Sequence, residues 1–249
     1  MHGISFNYND SGIRTQKHFW NHFVMQDYTV DYVLDGSKII KETREGYNRP
    51  TEVLYYYYDE SGVTGFEYNG TKYYYGKNLQ GDVAIIYDSN ANPVVYYKYD
   101  AWGNILSITG SLASTIGQIN PFRYRSYYYD TETGFYYLNS RYYDPSVGRF
   151  LNADGIIGAN GGIIGYNMFA YCNNNPVMFS DPSGYASKRE CELAGIEYDP
   201  AQDNTINNDY GTYFDFEKWS SVFNESSGEI TYEPGPTNAI IQENAVDRY

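Results

Sequence analysis

The 249-residue chain has a formal charge of −14, which argues against a nucleic-acid surface, because phosphate contacts need clustered Lys and Arg. Its 32 tyrosines, 12 phenylalanines and 24 glycines favour strands joined by tight turns, so the expected fold class is all-β. No apolar run is long enough to span a bilayer, and the opening Met1-His2-Gly3-Ile4-Ser5 is not followed by the apolar stretch of a signal peptide.

In chain order, a Tyr-Asp/Asn unit closing on Gly recurs at Tyr8–Gly12, Tyr58–Gly62, Tyr99–Gly103, Tyr129–Gly134 and Tyr143–Gly148. Each copy predicts a strand–turn–strand: the aromatic ends a strand, Asp or Asn bonds back to its own backbone, and Gly takes the positive φ of the turn. The flanking runs Val53–Tyr58, Lys72–Tyr75 and Val94–Tyr99 are strand-prone. Their tyrosines suit sheet packing, with a sugar-stacking or adhesive surface as the alternative. Asp88–Pro93 starts like a calcium loop but has Pro93 where the turn glycine belongs, which predicts a hairpin turn instead.

Residues 111–126 interrupt the pattern and read as a variable loop before a strand over Asn120–Tyr124. A glycine-rich passage at Gly155, Gly158, Gly161, Gly162 and Gly165 precedes Tyr166–Tyr171 and the Asn173-Asn174-Asn175-Pro176 turn. Cys172 and Cys191 show no CxxC spacing and read as packing thiols, with no disulfide framework or zinc site indicated. Beyond Tyr185 the repeats stop. Residues 186–249 hold 4 Lys and Arg against 13 Asp and Glu, a charge of −9 that leaves −5 for the rest. Within this acidic tail, Asp215–Phe223 predicts a short helix with Asp215 as N-cap.

The segment Phe135-Tyr136-Tyr137-Leu138-Asn139-Ser140-Arg141-Tyr142-Tyr143-Asp144-Pro145-Ser146-Val147-Gly148-Arg149-Phe150-Leu151-Asn152-Ala153-Asp154 resembles the Rhs repeat-associated core of bacterial polymorphic toxins, related to the C component of insecticidal Tc toxins. The likeness continues through Tyr166–Pro176 to Asp181-Pro182-Ser183-Gly184-Tyr185, and Asn7–Thr15 and Tyr32–Lys38 are similar to ordinary YD-repeat text. The resemblance implies a β-hairpin spiral, part of a hollow shell, with 1–126 as YD repeats, 127–185 as the closing core and 186–249 as a variable, mixed or irregular C-terminal extension. At this length the chain supplies a few turns of such a spiral, a terminal fragment or a short orphan copy whose partners include the upstream repeats of a larger shell.

The resemblance also implies self-cleavage like that of an aspartic protease, with Asp154 and Asp181 as the paired carboxylates, Arg141 as the matching arginine and Tyr185-Ala186 as the cut. Two close carboxylates cannot both ionise cheaply, so one keeps a proton and acts as acid while the other activates water. Gly155 stands where the family usually has proline, and Tyr185 where leucine is usual. No cofactor is implied.

Three functions follow as alternatives: a shell and plug that encapsulates or presents the variable region; a tail 186–249 that is itself an active toxin, met by an immunity protein; and a surface adhesin recognising carbohydrate. Against the toxic tail, all three histidines (His2, His18, His22) lie at the N-terminus, so the tail lacks an imidazole for acid–base work. The expected location is secreted or cell-surface, as part of a larger protein.

Overall fold

The computed structural model describes residues 2–153 and 167–184 and four short strands beyond them. It forms two compact units: residues 1–100 with 105–133, and residues 101–104 with those from 134 onward.

The first unit is built on one ten-stranded antiparallel sheet in simple sequence order. Its strands are β1 (His2–Tyr8), β2 (Arg14–Asn21), β3 (Gln26–Asp35), β4 (Lys38–Gly46), β5 (Glu52–Asp59), β6 (Gly62–Tyr68), β7 (Thr71–Lys77), β8 (Val83–Tyr87), β9 (Pro93–Tyr99) and β10 (Ile105–Thr109). The register shifts in β1/β2, β3/β4, β5/β6, β7/β8 and β9/β10, and also in β8/β9. Bulges of this kind add local twist, and the hairpins β1/β2, β5/β6 and β9/β10 are those expected from the Tyr-Asp-Gly spacing at Tyr8–Gly12, Tyr58–Gly62 and Tyr99–Gly103.

The turns form as their residues dictate. The five repeat glycines, Gly12, Gly62, Gly103, Gly134 and Gly148, all have φ between +65° and +91°, the left-handed region where an L side chain is strained. The polar residue satisfies the turn: Asn9 Oδ1 accepts from the N–H of Ser11 (3.1 Å) and Ile13 (2.9 Å), and Asp59 Oδ1 from Ser61 (2.7 Å). Asp88 accepts from the N–H of Asn90 and Asn92 (both 2.9 Å), making the β8–β9 connection the hairpin turn read from the sequence.

Residues 111–126 are a largely irregular segment packed on the sheet, and Asn120–Tyr124 forms an isolated bridge at Phe122 and no strand. A short helix α1 (Ile116–Ile119) leads into a segment that crosses one face of the sheet, ending in β11 (Tyr128–Asp130). It meets the sheet strand by strand. Tyr97 of β9 donates to the Gly117 carbonyl (2.8 Å), Tyr75 of β7 to Asn120 Oδ1 (2.5 Å), and Arg44 of β4 to the Ile119 carbonyl (3.0 Å). The Phe122 ring sits edge-on to Tyr56 of β5 at 4.9 Å, and Tyr128 edge-on to Tyr32 of β3 at 5.7 Å. Ile116, Phe122, Tyr124 and Tyr128 are buried, as are Val30, Leu54, Phe66 and Val95 of the sheet. The reason is burial: a half-apolar sheet face must be covered, and each buried phenol needs a polar partner that an irregular backbone supplies. Tyr32, Tyr56, Tyr73, Tyr97 and Tyr128 are core residues, whereas Tyr55, Tyr74 and Tyr96 of the same runs are exposed.

In the second unit β12 (Phe135–Leu138), β13 (Arg141–Asp144) and β14 (Arg149–Phe150) form an antiparallel meander. Tyr143 packs against Tyr171 at 4.1 Å, and Phe150 lies edge-on to Tyr171 at 5.6 Å. Tyr136 and Tyr143 donate to the carbonyls of Gly103 (2.8 Å) and Trp102 (2.7 Å). Cys172 is a buried free thiol; Cys191 lies outside the described residues.

Further on, β15 (Thr205–Asn207) pairs with β16 (Tyr213–Asp215), and β17 (Phe223–Asn224) with β18 (Glu229–Ile230). Both ends of the predicted helix 215–223 are therefore extended. Residues 216–222, between those ends, lie outside the described residues.

Candidate functional site

The β12–β13 hairpin pairs Leu138 with Arg141, leaving Asn139-Ser140 as a two-residue turn in which Asn139 takes φ +58°. Asn is among the few non-glycine residues that adopt this conformation readily. The turn receives the closing segment. Arg141 Nη2 donates to Asp181 Oδ2 at 3.1 Å, with side-chain exposures of 7% and 4%. Its Nε donates to the Gly184 carbonyl and Nη1 to the Met168 carbonyl at 3.4 Å. The guanidinium carbon lies 3.6 Å from the centre of the Phe150 ring, a cation–π contact in a largely dry setting.

The other carboxylate oxygen of Asp181 accepts from the Gly184 N–H at 2.9 Å. Asp181 thus closes its own four-residue turn with one oxygen and holds Arg141 with the other. Ser140 completes the cradle: its N–H and hydroxyl donate to the Ser183 carbonyl at 3.2 and 2.8 Å. Gly184 has φ +74°, and a Cβ there would lie 2.5 Å from the Leu138 carbonyl oxygen and 2.6 Å from Ser140 Oγ. Only glycine passes through this gap without displacement.

Of the residues singled out in the sequence, Arg141 and Asp181 are brought together across 40 positions. Asp154, Tyr185 and Ala186 lie outside the described residues. Ser140, Phe150 and the Met168 carbonyl were not anticipated; Asn139-Ser140 between two Tyr-rich strands was the available signal, marking a tight turn directly before Arg141.

A second buried charge cluster occupies the first unit. Asp130 accepts from Arg14 at 2.6 Å and Lys17 at 2.9 Å, and Lys17 also reaches Glu132 at 3.0 Å. Glu42 accepts from Tyr56 (2.9 Å), Tyr128 (2.8 Å) and Arg44. Burial and the adjoining Glu42 carboxylate push the Tyr56 and Tyr128 phenols well above the ordinary tyrosine range, so both stay protonated donors. Lys17, Arg44, Arg49, Tyr28 and Glu132 are among the residues lining a cavity of about 70 Å³. That is room for a few waters, well short of the hundreds of Å³ of a small-molecule site, and the cations around it hold carboxylate partners. The cluster reads as structural. Among the described residues no group of three or more His, Cys, Asp and Glu is placed to hold a metal.

The model of the teneurin YD-shell matches residues 41–177, more than half of the chain. The chain belongs to the teneurin YD-shell family. The sequence resemblance to Rhs/YD-repeat proteins is thereby borne out, as is the all-β class. Among curated relatives, the tRNA3(Ser)-specific nuclease WapA of Bacillus spizizenii is 39% identical over 183 residues, covering 73% of this chain. The double-stranded DNA deaminase toxin A of Burkholderia cenocepacia is 42% identical over 90 residues, 36% of this chain. This YD-shell chain spans 7% and 6% of the length of those relatives. Among solved structures, the TcdB2-TccC3 crystal structure shares the fold at a TM-score of 0.63 and 23% identity, covering 73% of this chain and 9% of that one.

Proposed function

We propose that this YD-shell chain forms the closing turns of a shell in a larger secreted or surface-delivered polymorphic toxin, and that the shell segment ends by cutting itself between Tyr185 and Ala186. The shell partner is the upstream repeats of the parent protein. Residues 127–185 act as the closing core, and 186–249 as the extension they present or enclose. The relatives support the toxin context, since two are a tRNA nuclease and a deaminase toxin by name.

The observation that carries the reading is the buried Arg141–Asp181 pair, whose arginine also holds the carbonyl of Gly184, the residue before Tyr185 in sequence. A carboxylate shielded from water and held at fixed geometry is costly unless paired, and such groups are suited to acid–base chemistry. In the proposed reaction one carboxylate of the Asp154/Asp181 pair takes a proton from water, and the resulting hydroxide adds to the Tyr185 carbonyl carbon. The other, protonated, gives its proton to the Ala186 nitrogen as the C–N bond breaks. The products are a Tyr185 carboxylate and an Ala186 amine.

Intact-mass measurement of the purified chain tests this. The expected result is two species, 1–185 and 186–249, with Asp154→Asn and Asp181→Asn each giving only the uncut chain. A folded wild-type chain that stays whole and is indistinguishable from both variants rules the cut out.

A further inference from the structure

We propose that Ser140 is a positioning residue for this cleavage, its hydroxyl fixing the register of the chain that runs into the cut; this rests on the self-cleavage reading above. Two consecutive carbonyls of the closing segment are taken by two consecutive residues, one in the β12–β13 turn and one opening β13: Ser183 by Ser140, and Gly184 by Arg141. A slip of the closing segment by one residue breaks both sets together. It also moves glycine out of the one place where a Cβ meets backbone at 2.5 Å.

The hydroxyl matters because the Ser140 N–H is shared. That N–H donates to the Leu138 carbonyl at 2.7 Å as well as to Ser183 at 3.2 Å, whereas the hydroxyl reaches Ser183 at 2.8 Å. Ser183 is fully buried, so water cannot replace a lost donor. Ser140 Oγ also forms one wall of the passage at Gly184. Reaction rate depends steeply on such placement, and Ser140 exerts its effect through Ser183 and Gly184 rather than on the reacting atoms.

The test follows cleavage of the full chain by mass after cell-free synthesis, comparing wild type, Ser140→Ala and Ser140→Thr. Losing one buried hydrogen bond predicts cleavage about five- to ten-fold slower in Ser140→Ala, with an unchanged shape of the pH–rate profile because Ser140 exchanges no proton. Threonine, which keeps the hydroxyl, restores the rate. Hydrogen exchange over residues 181–184, measured in an Asp154→Asn background so that the chain remains whole, should quicken in Ser140→Ala and recover in Ser140→Thr. Wild-type cleavage in Ser140→Ala, or equal exchange in all three, overturns the proposal. If wild type does not cut at all, the self-cleavage reading fails and the positioning role falls with it, while the exchange series still decides whether the hydroxyl fixes the segment.

Discussion

The carboxylate of Asp130 lies 2.6 Å from the guanidinium of Arg14, across 116 residues of chain and with both side chains fully buried. Arg14 is packed among aromatic faces, with Phe6, Tyr32 and Tyr128 ring centres at 5.1, 5.0 and 4.9 Å, and Lys17 completes the cluster. Asp130→Asn removes the buried anion shared by Arg14 and Lys17, so the expected loss is about 3–5 kcal/mol of stability, read by chemical denaturation. Burial raises the Asp130 carboxyl, but Arg14 and Lys17 outweigh it and hold the group below its ordinary value. The folded state therefore binds its proton later than the unfolded state, and the stabilisation is present above about pH 4 and lost as pH falls further. Wild type should lose stability more steeply than Asp130→Asn below that pH.

Arg141 performs three tasks with one planar group: it pairs Asp181, donates to two backbone carbonyls, and stacks on Phe150. Lysine keeps the charge but cannot reproduce the fork or the stacking. Arg141→Lys is expected to slow appearance of the 186–249 fragment at least about ten-fold and to cost about 1–3 kcal/mol, measured by mass time course and denaturation of an uncut background.

Gly184→Ala introduces a Cβ 2.5 Å from the Leu138 carbonyl oxygen at φ +74°. Backbone cannot yield here without opening the β12–β13 turn, so the closing segment should undock at a cost of about 1–3 kcal/mol. Limited proteolysis is expected to reach 178–184 in this variant and not in wild type; equal protection would show that the passage is wider than described.

Gly148 has a local counterpart in Trp102: a Cβ at 148 would sit 2.7 Å from the indole ring, at φ +65°. Gly148→Ala should displace the ring and destabilise the second unit by about 1–2 kcal/mol. Trp102 fluorescence, isolated by replacing Trp20 and Trp219 with Phe, should shift toward that of a wetter indole.

The repeat hairpins were legible because each depends on neighbours in sequence: a tyrosine that ends a strand, a polar side chain two to four residues from the N–H it caps, and a glycine at positive φ. Asn9, Asp59 and Asp88 do what a local reading expects of them. Asp130 occupies the same place in its repeat, yet its carboxylate serves Arg14 and Lys17 from β2. Nothing within a few residues of Asp130 announces partners more than a hundred positions away.

The same division runs through the closing site. The sequence alone determined the hairpin repeat, the all-β class and the change of character after Tyr185, and family likeness singled out Arg141 and Asp181 without pairing them, since all of these rest on local spacing, composition and resemblance; that the two meet is a fact of the tertiary structure. Only the tertiary structure decided that residues 111–126 cover the sheet, that Ser140 and Phe150 complete the cradle, and that Gly184 is walled by Leu138 and Ser140. Those outcomes follow from burial: a phenol, a guanidinium or a carbonyl removed from water must find a partner wherever the fold supplies one, and that choice is made in space, not along the chain.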